Sequence, residues 1–204
     1  MLLVEGVAGA GKSTLTHALV NRYATEIRPL RSLLHLSQAH TYGPLAVDED
    51  RCTLTCEQNV AHLKKIRNLL EHLSSPVMEE PHAKFYGIID SLHFTQCVRP
   101  GVLLPENALE FDKLLAQMGC KLIFLHVSEN ELWKRIQERR ETDFIQYARK
   151  FGSTLEKIHE YFVSEQESMA RIVRRSCMST LVVDNTQPTT DNMINSVFDF
   201  WISQ

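Results

Sequence analysis

The residues with the clearest chemical meaning lie near the start of the chain. The run Gly6-Val7-Ala8-Gly9-Ala10-Gly11-Lys12-Ser13 matches the pattern Gly-x-x-x-x-Gly-Lys-Ser/Thr without a gap. A short apolar segment precedes it and an amphipathic segment follows it, so a strand should enter the loop and a helix should leave it. Glycines let backbone amides approach phosphate oxygens, and the helix N-terminus adds positive potential. The pattern predicts a phosphate-binding loop, or P-loop.

The residue types in this loop suit a nucleoside triphosphate. We expect the phosphates to be bound by Gly6, Ala8, Gly9, Ala10, Gly11, Lys12, Ser13 and Thr14. Lys12 supplies a positive charge for the β- and γ-phosphates during transfer, and the Ser13 hydroxyl would ligate Mg²⁺. The predicted cofactors are therefore ATP and Mg²⁺.

A P-loop enzyme also needs a carboxylate near the metal ion and the transferred phosphoryl group. Two predicted strands end in aspartate, at Asp90 and at Asp184. The carboxyl ends of parallel strands form the ligand edge of such a sheet. Polar residues follow Asp90, so it is the preferred metal ligand and the preferred catalytic carboxylate, which could accept the proton of the attacking hydroxyl. Asp184 is more consistent with a helix cap or with a loop beside the base.

Three further acids have open interpretations. Glu79 and Glu80 precede Pro81 and could accept a proton from a substrate hydroxyl, although such a pair is more typical of a solvated turn. Glu5 stands directly before the P-loop. It either lies beside the metal site or braces the backbone of the loop.

Two arginines, Arg135 and Arg139, are four residues apart in a predicted helix, so their guanidinium groups share one face. Such a pair can clamp phosphates and offset charge in the transition state. The neighbouring glutamates also permit a salt-bridged surface. We assign both arginines catalytic roles in a small helical lid at about residues 135–150.

The elements that must position these residues alternate along the chain. Five short apolar runs predict strands at Leu2–Val4, Leu33–Leu36, Phe85–Ile89, Leu122–Val127 and Thr180–Val183. Amphipathic helical patterns separate the strands and close the chain. The predicted fold class is α/β, with a five-stranded parallel sheet flanked by helices in three layers. We expect one domain over residues 1–204.

The composition excludes several classes of protein. A formal net charge of −3 gives no sign of a nucleic-acid-binding surface, and no apolar run is long enough to cross a membrane. The five cysteines lack the spacing of a zinc site, and scattered thiols are typical of a reducing compartment. No signal peptide precedes the first predicted strand. These features predict a cytoplasmic protein.

Taken together, these motifs resemble those of the thymidylate kinase-like group of P-loop nucleoside and nucleotide kinases. The resemblance extends over almost the whole chain and depends on Val4-Glu5-Gly6, the strand ending at Asp90, Arg135-x-x-x-Arg139 and Asp184-Asn185-Thr186. It implies Mg·ATP as phosphoryl donor, a lid that closes on substrate, and the ATP base near Asp184-Asn185-Thr186. Many members are dimers, so a homodimer is one expectation.

The acceptor side departs from that group. Asp90-Ser91-Leu92-His93 stands where thymidylate kinases carry Asp-Arg-Tyr, so the arginine that would hold the acceptor is missing. The predicted acceptor pocket comprises His40, Tyr42, Arg51, His93 and Gln96. Arg51 could bind a monophosphate in place of the missing arginine, while both histidines could be ordinary loop residues.

The predicted partners are a nucleoside triphosphate and a small-molecule acceptor, with no nucleic acid polymer and no membrane. The predicted function is ATP-dependent phosphoryl transfer to a nucleoside or nucleotide. Two alternatives are a kinase of a non-nucleotide hydroxyl compound and a nucleotide-binding regulatory protein with little catalysis.

Overall fold

The fold is organised around a five-stranded parallel sheet. A computed structural model describes residues 1–26, 33–36, 56–74, 86–98, 105–139 and 143–203. The strands are β1 (Leu2–Glu5), β2 (Leu33–Leu36), β3 (Tyr86–Asp90), β4 (Lys121–His126) and β5 (Ser179–Asp184). Their order across the sheet is β2-β3-β1-β4-β5, and every neighbouring pair is parallel. The prediction of an all-parallel five-stranded sheet is confirmed.

The register of the sheet brings the important strand ends to one edge. Val4 pairs with Asp90 of β3, and Glu5 pairs with Phe124 of β4. His126 of β4 pairs in turn with Asp184 of β5. Because all strands run the same way, the P-loop, Asp90 and Asp184 follow strand ends at the same side of the sheet.

Helices connect the strands and cover both faces. In the described residues they are α1 (Lys12–Glu26), α2 (Cys56–Ser74), α3 (His93–Val98), α4 (Pro105–Gln117), α5 (Glu129–Glu138), α6 (Asp143–Ala148), α7 (Leu155–Val173) and α8 (Asp191–Ile202). The end of α5 and all of α6 fall within the segment predicted as a lid. Among the described residues, no helix combines the length and apolarity needed to cross a membrane.

Two apolar clusters fill the spaces between the sheet and the helices. Alternate residues of β1 point to opposite faces, so Leu2 and Val4 belong to one cluster while Leu3 belongs to the other. The first cluster includes residues of α1 and α8, and the second includes residues of α2 and α4. Helix α7 contributes to both. The predicted three-layer arrangement is therefore confirmed.

The edge strand β5 differs from its predicted environment. Its apolar run suggested a strand covered on both faces, but the side chain of Val182 is 59% exposed. Val183, which points to the opposite face, is buried in the core. A run of apolar residues does not reveal this difference, since β-branched residues also suit an exposed edge strand.

Candidate active site

The P-loop connects β1 to α1 in a backbone conformation that requires glycine. Gly6 and Gly11 have φ values of +153° and +93°. A β-carbon at Gly6 would lie 2.9 Å from the carbonyl oxygen of Leu125, and one at Gly11 would lie 2.4 Å from Nδ2 of Asn185. The loop is thus packed tightly against β4 and against the segment after β5, which accounts for two of the glycines in the motif.

Lys12 lies against the backbone of its own loop. Its ammonium group donates hydrogen bonds to the carbonyl oxygens of Gly6 at 2.8 Å and of Val7 at 3.1 Å. The residue is only 8% exposed. These bonds hold the positive charge within the loop that is predicted to bind phosphate, where it adds to the potential of the α1 N-terminus.

The first turn of α1 presents the two hydroxyl groups that the motif predicts. Ser13 and Thr14 are both exposed, while Lys12 before them and Leu15 after them are buried. The hydroxyl of Thr16 donates to the Ser13 carbonyl oxygen at 3.1 Å. The backbone amides at the start of a helix have no partner within that helix, so this turn offers donors as well as hydroxyl groups to an anion.

Glu5 is buried and makes contacts that the sequence did not predict. Its carboxylate is fully buried and accepts hydrogen bonds from the backbone amides of Leu92 at 2.8 Å and Phe94 at 3.2 Å. The Thr95 hydroxyl donates to its second oxygen at 2.5 Å. Glu5 therefore braces the segment after β3, and not the P-loop itself. It joins the strand that enters the P-loop to the segment that follows Asp90.

Asp90 ends β3 in a tight turn and is 4% exposed. The next residue, Ser91, adopts φ +58°, which is uncommon outside glycine. Its hydroxyl donates to Asp90 Oδ1 at 3.1 Å, and its amide donates to the Val4 carbonyl oxygen at 2.9 Å. The sheet pairing thus continues for one residue past the strand and fixes Asp90 beside the strand that enters the loop.

The donor set at this edge fits a magnesium ion bound with nucleotide. The described residues contain no group of three or more His, Cys, Asp or Glu side chains arranged to hold a metal ion alone. Mg²⁺ normally takes one or two protein carboxylates and completes its octahedron with phosphate oxygens and water. Asp90 and the hydroxyl of Ser13 match that small set of hard oxygen ligands.

The two predicted arginines lie in different surroundings. Arg135 is held by three partners: its Nε donates to Glu131 at 3.0 Å, its Nη1 to the Gly9 carbonyl oxygen at 3.1 Å, and its Nη2 to the Asn185 carbonyl oxygen at 2.6 Å. Arg139 follows the last turn of α5, is exposed, and lies 5.5 Å above the ring of Phe144 in α6. Arg135 thus contacts the P-loop directly, whereas Arg139 contacts the lid segment.

The segment after β5 forms a structured turn beside the P-loop. Oδ1 of Asp184 accepts hydrogen bonds from the amide and the hydroxyl of Thr186. These bonds, the one from the hydroxyl foremost, hold the pKa of Asp184 below its ordinary value. The Thr186 hydroxyl also accepts from the amide of Ser128, the N-cap of α5, at 2.9 Å. Asp184 shapes this loop, as the sequence favoured.

Two members of the predicted acceptor pocket are fully buried. His93 lies 3.6 Å from Asp112 of α4 and packs against the rings of Phe94 and Phe111. Neither His93 nor Gln96 is exposed. The structure therefore places His93 in the packing between α3 and α4 and brings neither side chain to an open surface. His40, Tyr42 and Arg51 lie outside the described residues, as do Glu79 and Glu80.

Asp112, the partner of His93, is a buried acid that the sequence did not single out. Burial raises its pKa, but the nearby His93 and the hydrogen bonds from the Cys177 amide and the Ser176 hydroxyl outweigh that effect, so the net pKa is lowered. The Cys177 amide donates at 2.6 Å and the Ser176 hydroxyl at 2.7 Å. Asp112 thereby ties α4 to the segment that leads into β5.

A glutamine on the long helix α7 also supports the site and was missed. Gln166 is 5% exposed, and its amide group pairs with the backbone of Val127. The Val127 amide donates to Gln166 Oε1 at 3.0 Å, and Gln166 Nε2 donates to the Val127 carbonyl oxygen at 2.8 Å. A polar residue between Phe162 and Met169 on the apolar face of the helix was the available signal. Gln166 thereby holds the backbone directly after β4.

No protein-family model matches this chain, and no curated protein matches its sequence. Solved structures do match. The YorR protein from Bacillus subtilis, in complex with phosphorylated GDP, has a TM-score of 0.58 and 15% identity, covering 98% of this chain and 94% of that protein. A gluconokinase from Sinorhizobium meliloti 1021 has a TM-score of 0.53 and 16% identity, covering 97% and 86%. The chain therefore has a P-loop kinase fold, and the similarity does not single out thymidylate kinases.

Proposed function

We propose that this protein transfers the γ-phosphoryl group of Mg·ATP to a hydroxyl or phosphate of a small molecule, with a nucleoside or nucleotide as the leading acceptor. The P-loop carries this proposal. Its sequence pattern is complete, and it stands between a buried strand and a helix, the context in which the motif binds phosphate. The similarity to a gluconokinase and to a protein holding phosphorylated GDP supports a transferase on this fold.

Each residue has a part in that reaction. The amides of the P-loop and of the first turn of α1 bind the phosphates, and Lys12 offsets charge on the group in transfer. Ser13 and Asp90 hold Mg²⁺, which supplies charge neutralisation when it is bound with nucleotide. Asp90 is also the candidate to accept the proton of the attacking hydroxyl. Its burial at the end of β3 suits both duties, because a buried carboxylate keeps a fixed orientation.

The two arginines have different parts in this proposal. Arg135, bonded to the backbone of Gly9 and Asn185, holds the donor side of the site in shape. Arg139, exposed and next to α6, is placed to approach the phosphates when the lid of about residues 135–150 closes. In this proposal the lid is part of one domain that spans residues 1–204.

A second candidate acceptor is a non-nucleotide hydroxyl compound, such as a sugar or a sugar acid. The observation that favours it is the turn after Asp90, where Ser91 is buried and donates its hydroxyl to Asp90. Thymidylate kinases place an arginine there to hold the acceptor phosphate. A serine turned toward Asp90 offers no positive charge to a monophosphate. An acceptor without a phosphate does not need a positive charge at this turn.

The test is ADP formation from Mg·ATP with a broad panel of nucleosides, nucleoside monophosphates, sugars and sugar acids. We expect turnover with a narrow group of acceptors. Lys12→Ala should abolish that turnover, because it removes the charge that stabilises the phosphoryl group. Lys134→Ala is the matched control, since its side chain is 65% exposed on α5 and should leave the rate unchanged.

The outcomes separate the candidates. Turnover only with sugars or sugar acids would replace the nucleoside acceptor with the second candidate. Tight ATP binding with no turnover on any acceptor would favour a nucleotide-binding regulatory protein. Transfer that survives in Lys12→Ala would contradict the proposed role of the P-loop.

A further inference from the structure

Asn185 connects the end of β5 to the P-loop, a contact to which neither the motif nor the proposed reaction assigns a role. It is 2% exposed. Its Nδ2 donates to the carbonyl oxygen of Ala10 at 2.7 Å, and its Oδ1 accepts from the hydroxyl of Thr189 at 3.2 Å. Its backbone amide donates to His126 at 2.7 Å, and its carbonyl oxygen accepts from Arg135. All four polar groups of Asn185 are bonded, so the side chain is held in one orientation.

The bond to Ala10 fixes the direction of the next amide in the P-loop. The peptide unit between Ala10 and Gly11 is planar and trans, so its C=O and N–H point in opposite directions. Because the Ala10 carbonyl oxygen points at Asn185, the Gly11 N–H points away from it. In the part of the chain that the structure describes, this N–H has no acceptor. It is a backbone donor left over for a ligand.

The loop does not fix this orientation by itself. Gly9 and Gly11 flank Ala10, and glycine accepts many backbone conformations at little cost, so a peptide beside Gly11 can rotate. Gly11 also packs closely on Asn185, since a β-carbon there would lie 2.4 Å from Nδ2. The side chain of Asn185 thus both contacts the loop and bonds to its backbone, which restricts rotation of the peptide.

We propose that Asn185 is a positioning residue that holds the Ala10–Gly11 peptide so that the Gly11 amide faces the bound triphosphate. This inference rests on the proposed function in that it takes the P-loop as the triphosphate site. Since Asn185 also belongs to the loop after β5, it joins that loop to the P-loop. Asparagine suits the position because it supplies a donor to Ala10 and an acceptor to Thr189; aspartate would present an oxygen to the Ala10 carbonyl oxygen.

The first experiment measures binding of magnesium tripolyphosphate and of Mg·ATP by calorimetry. Losing one positioned amide should weaken both probes by a similar factor, roughly three- to tenfold, in Asn185→Ala and at least as much in Asn185→Asp. The matched control is Asn192→Ala, which removes an exposed asparagine near the start of α8, and this variant should bind both probes like the wild type.

The second measurement needs no variant at Asn185, so it stands even if Asn185→Ala fails to fold. Labelling alanine carbonyl carbons and glycine nitrogens with NMR-active isotopes selects only Ala-Gly pairs, and the chain has two, Ala8-Gly9 and Ala10-Gly11. Ala8→Ser removes the Gly9 signal and so assigns the other. Magnesium tripolyphosphate should shift the Gly11 signal and slow exchange of its amide with solvent.

The outcomes distinguish this inference from the proposed function. Unchanged binding of both probes by a folded Asn185→Ala protein would overturn the inference, and so would weaker Mg·ATP binding with unchanged tripolyphosphate binding, which would indicate a role at the base. A Gly11 signal that does not move at saturating tripolyphosphate would also overturn it. Wild-type protein that binds neither probe would remove the proposed function together with the inference. If binding and the Gly11 shift are as expected but no acceptor is phosphorylated, the inference holds and only the proposed reaction fails.

Discussion

Removing the Glu5 carboxylate should markedly lower the free energy of unfolding, because this carboxylate braces the segment after β3. Glu5 is fully buried and accepts from the amides of Leu92 and Phe94 and from the Thr95 hydroxyl. In Glu5→Ala these amides lose their acceptor inside the fold. Each unsatisfied buried donor costs about 1–3 kcal/mol, so the two amides alone cost roughly 2–6 kcal/mol of the free energy of unfolding. That is a large share of a typical stability of about 5–15 kcal/mol.

A near-isosteric substitution separates hydrogen bonding from volume. In Glu5→Gln the amide oxygen can still accept from both backbone N–H groups, and the new NH₂ group can donate to the Thr95 hydroxyl oxygen. The free energy of unfolding then falls only by the difference in strength between hydrogen bonds to a charged and to a neutral acceptor, about 1–3 kcal/mol over the two bonds. Glu5→Gln should therefore be clearly more stable than Glu5→Ala.

The assay is urea-induced unfolding followed by circular dichroism, with the free energy of unfolding obtained by linear extrapolation. Glu138→Ala serves as the control, since its side chain is 62% exposed and its loss should cost within about 0.5 kcal/mol. If Glu5→Ala were within that same margin of the wild type, or if Glu5→Gln were as unstable as Glu5→Ala, the bracing role of Glu5 would be refuted.

Three further predictions concern the P-loop, the arginines and a buried acid. Gly11→Ala should abolish Mg·ATP binding in calorimetry because of its φ of +93° and its close packing, whereas Gly119→Ala, with φ +72° and open space around it, should change only the melting temperature. Arg135→Ala should lower both the melting temperature and ATP affinity, whereas Arg139→Ala should lower mainly kcat; equal effects in melting and kinetic assays would contradict their different surroundings. The pKa of Asp112 is lowered on folding, so its contribution is present above its ordinary pKa of 3.8 and is lost as pH falls through the folded value. Over that pH range, the free energy of unfolding measured in urea should change less with pH in Asp112→Asn than in the wild type. An equal change in both proteins would contradict this assignment.

The fold and the donor loop were predictable because their signals are local. Each strand of the sheet coincides with a short apolar run, and the P-loop is contiguous in sequence, so neither depends on distant partners. The position of Asp90 was predictable by the same logic, because the carboxyl ends of parallel strands lie at one edge of the sheet.

The bracing residues were not predictable because their partners are far away in sequence. Glu5 bonds to residues 87 to 90 positions later, and Asn185 bonds to Ala10 across 175 positions. The sequence placed Arg135 in a lid helix, but its bonds to Gly9 and Asn185 depend on how α5 packs on the P-loop. His93 illustrates the opposite problem, since a polar residue after a strand suggested a pocket and the fold buries it against Asp112.

The central claim is that the γ-phosphoryl group of ATP leaves on an acceptor molecule. The most direct measurement follows ATP labelled in that group and identifies the labelled product, with wild-type protein and with Lys12→Ala, in the presence of Mg²⁺ and each acceptor of the panel. We predict a labelled phosphate ester of one acceptor class in the wild type and none in Lys12→Ala. Label recovered only as unreacted ATP or as inorganic phosphate across the whole panel would contradict phosphoryl transfer as the function of this site.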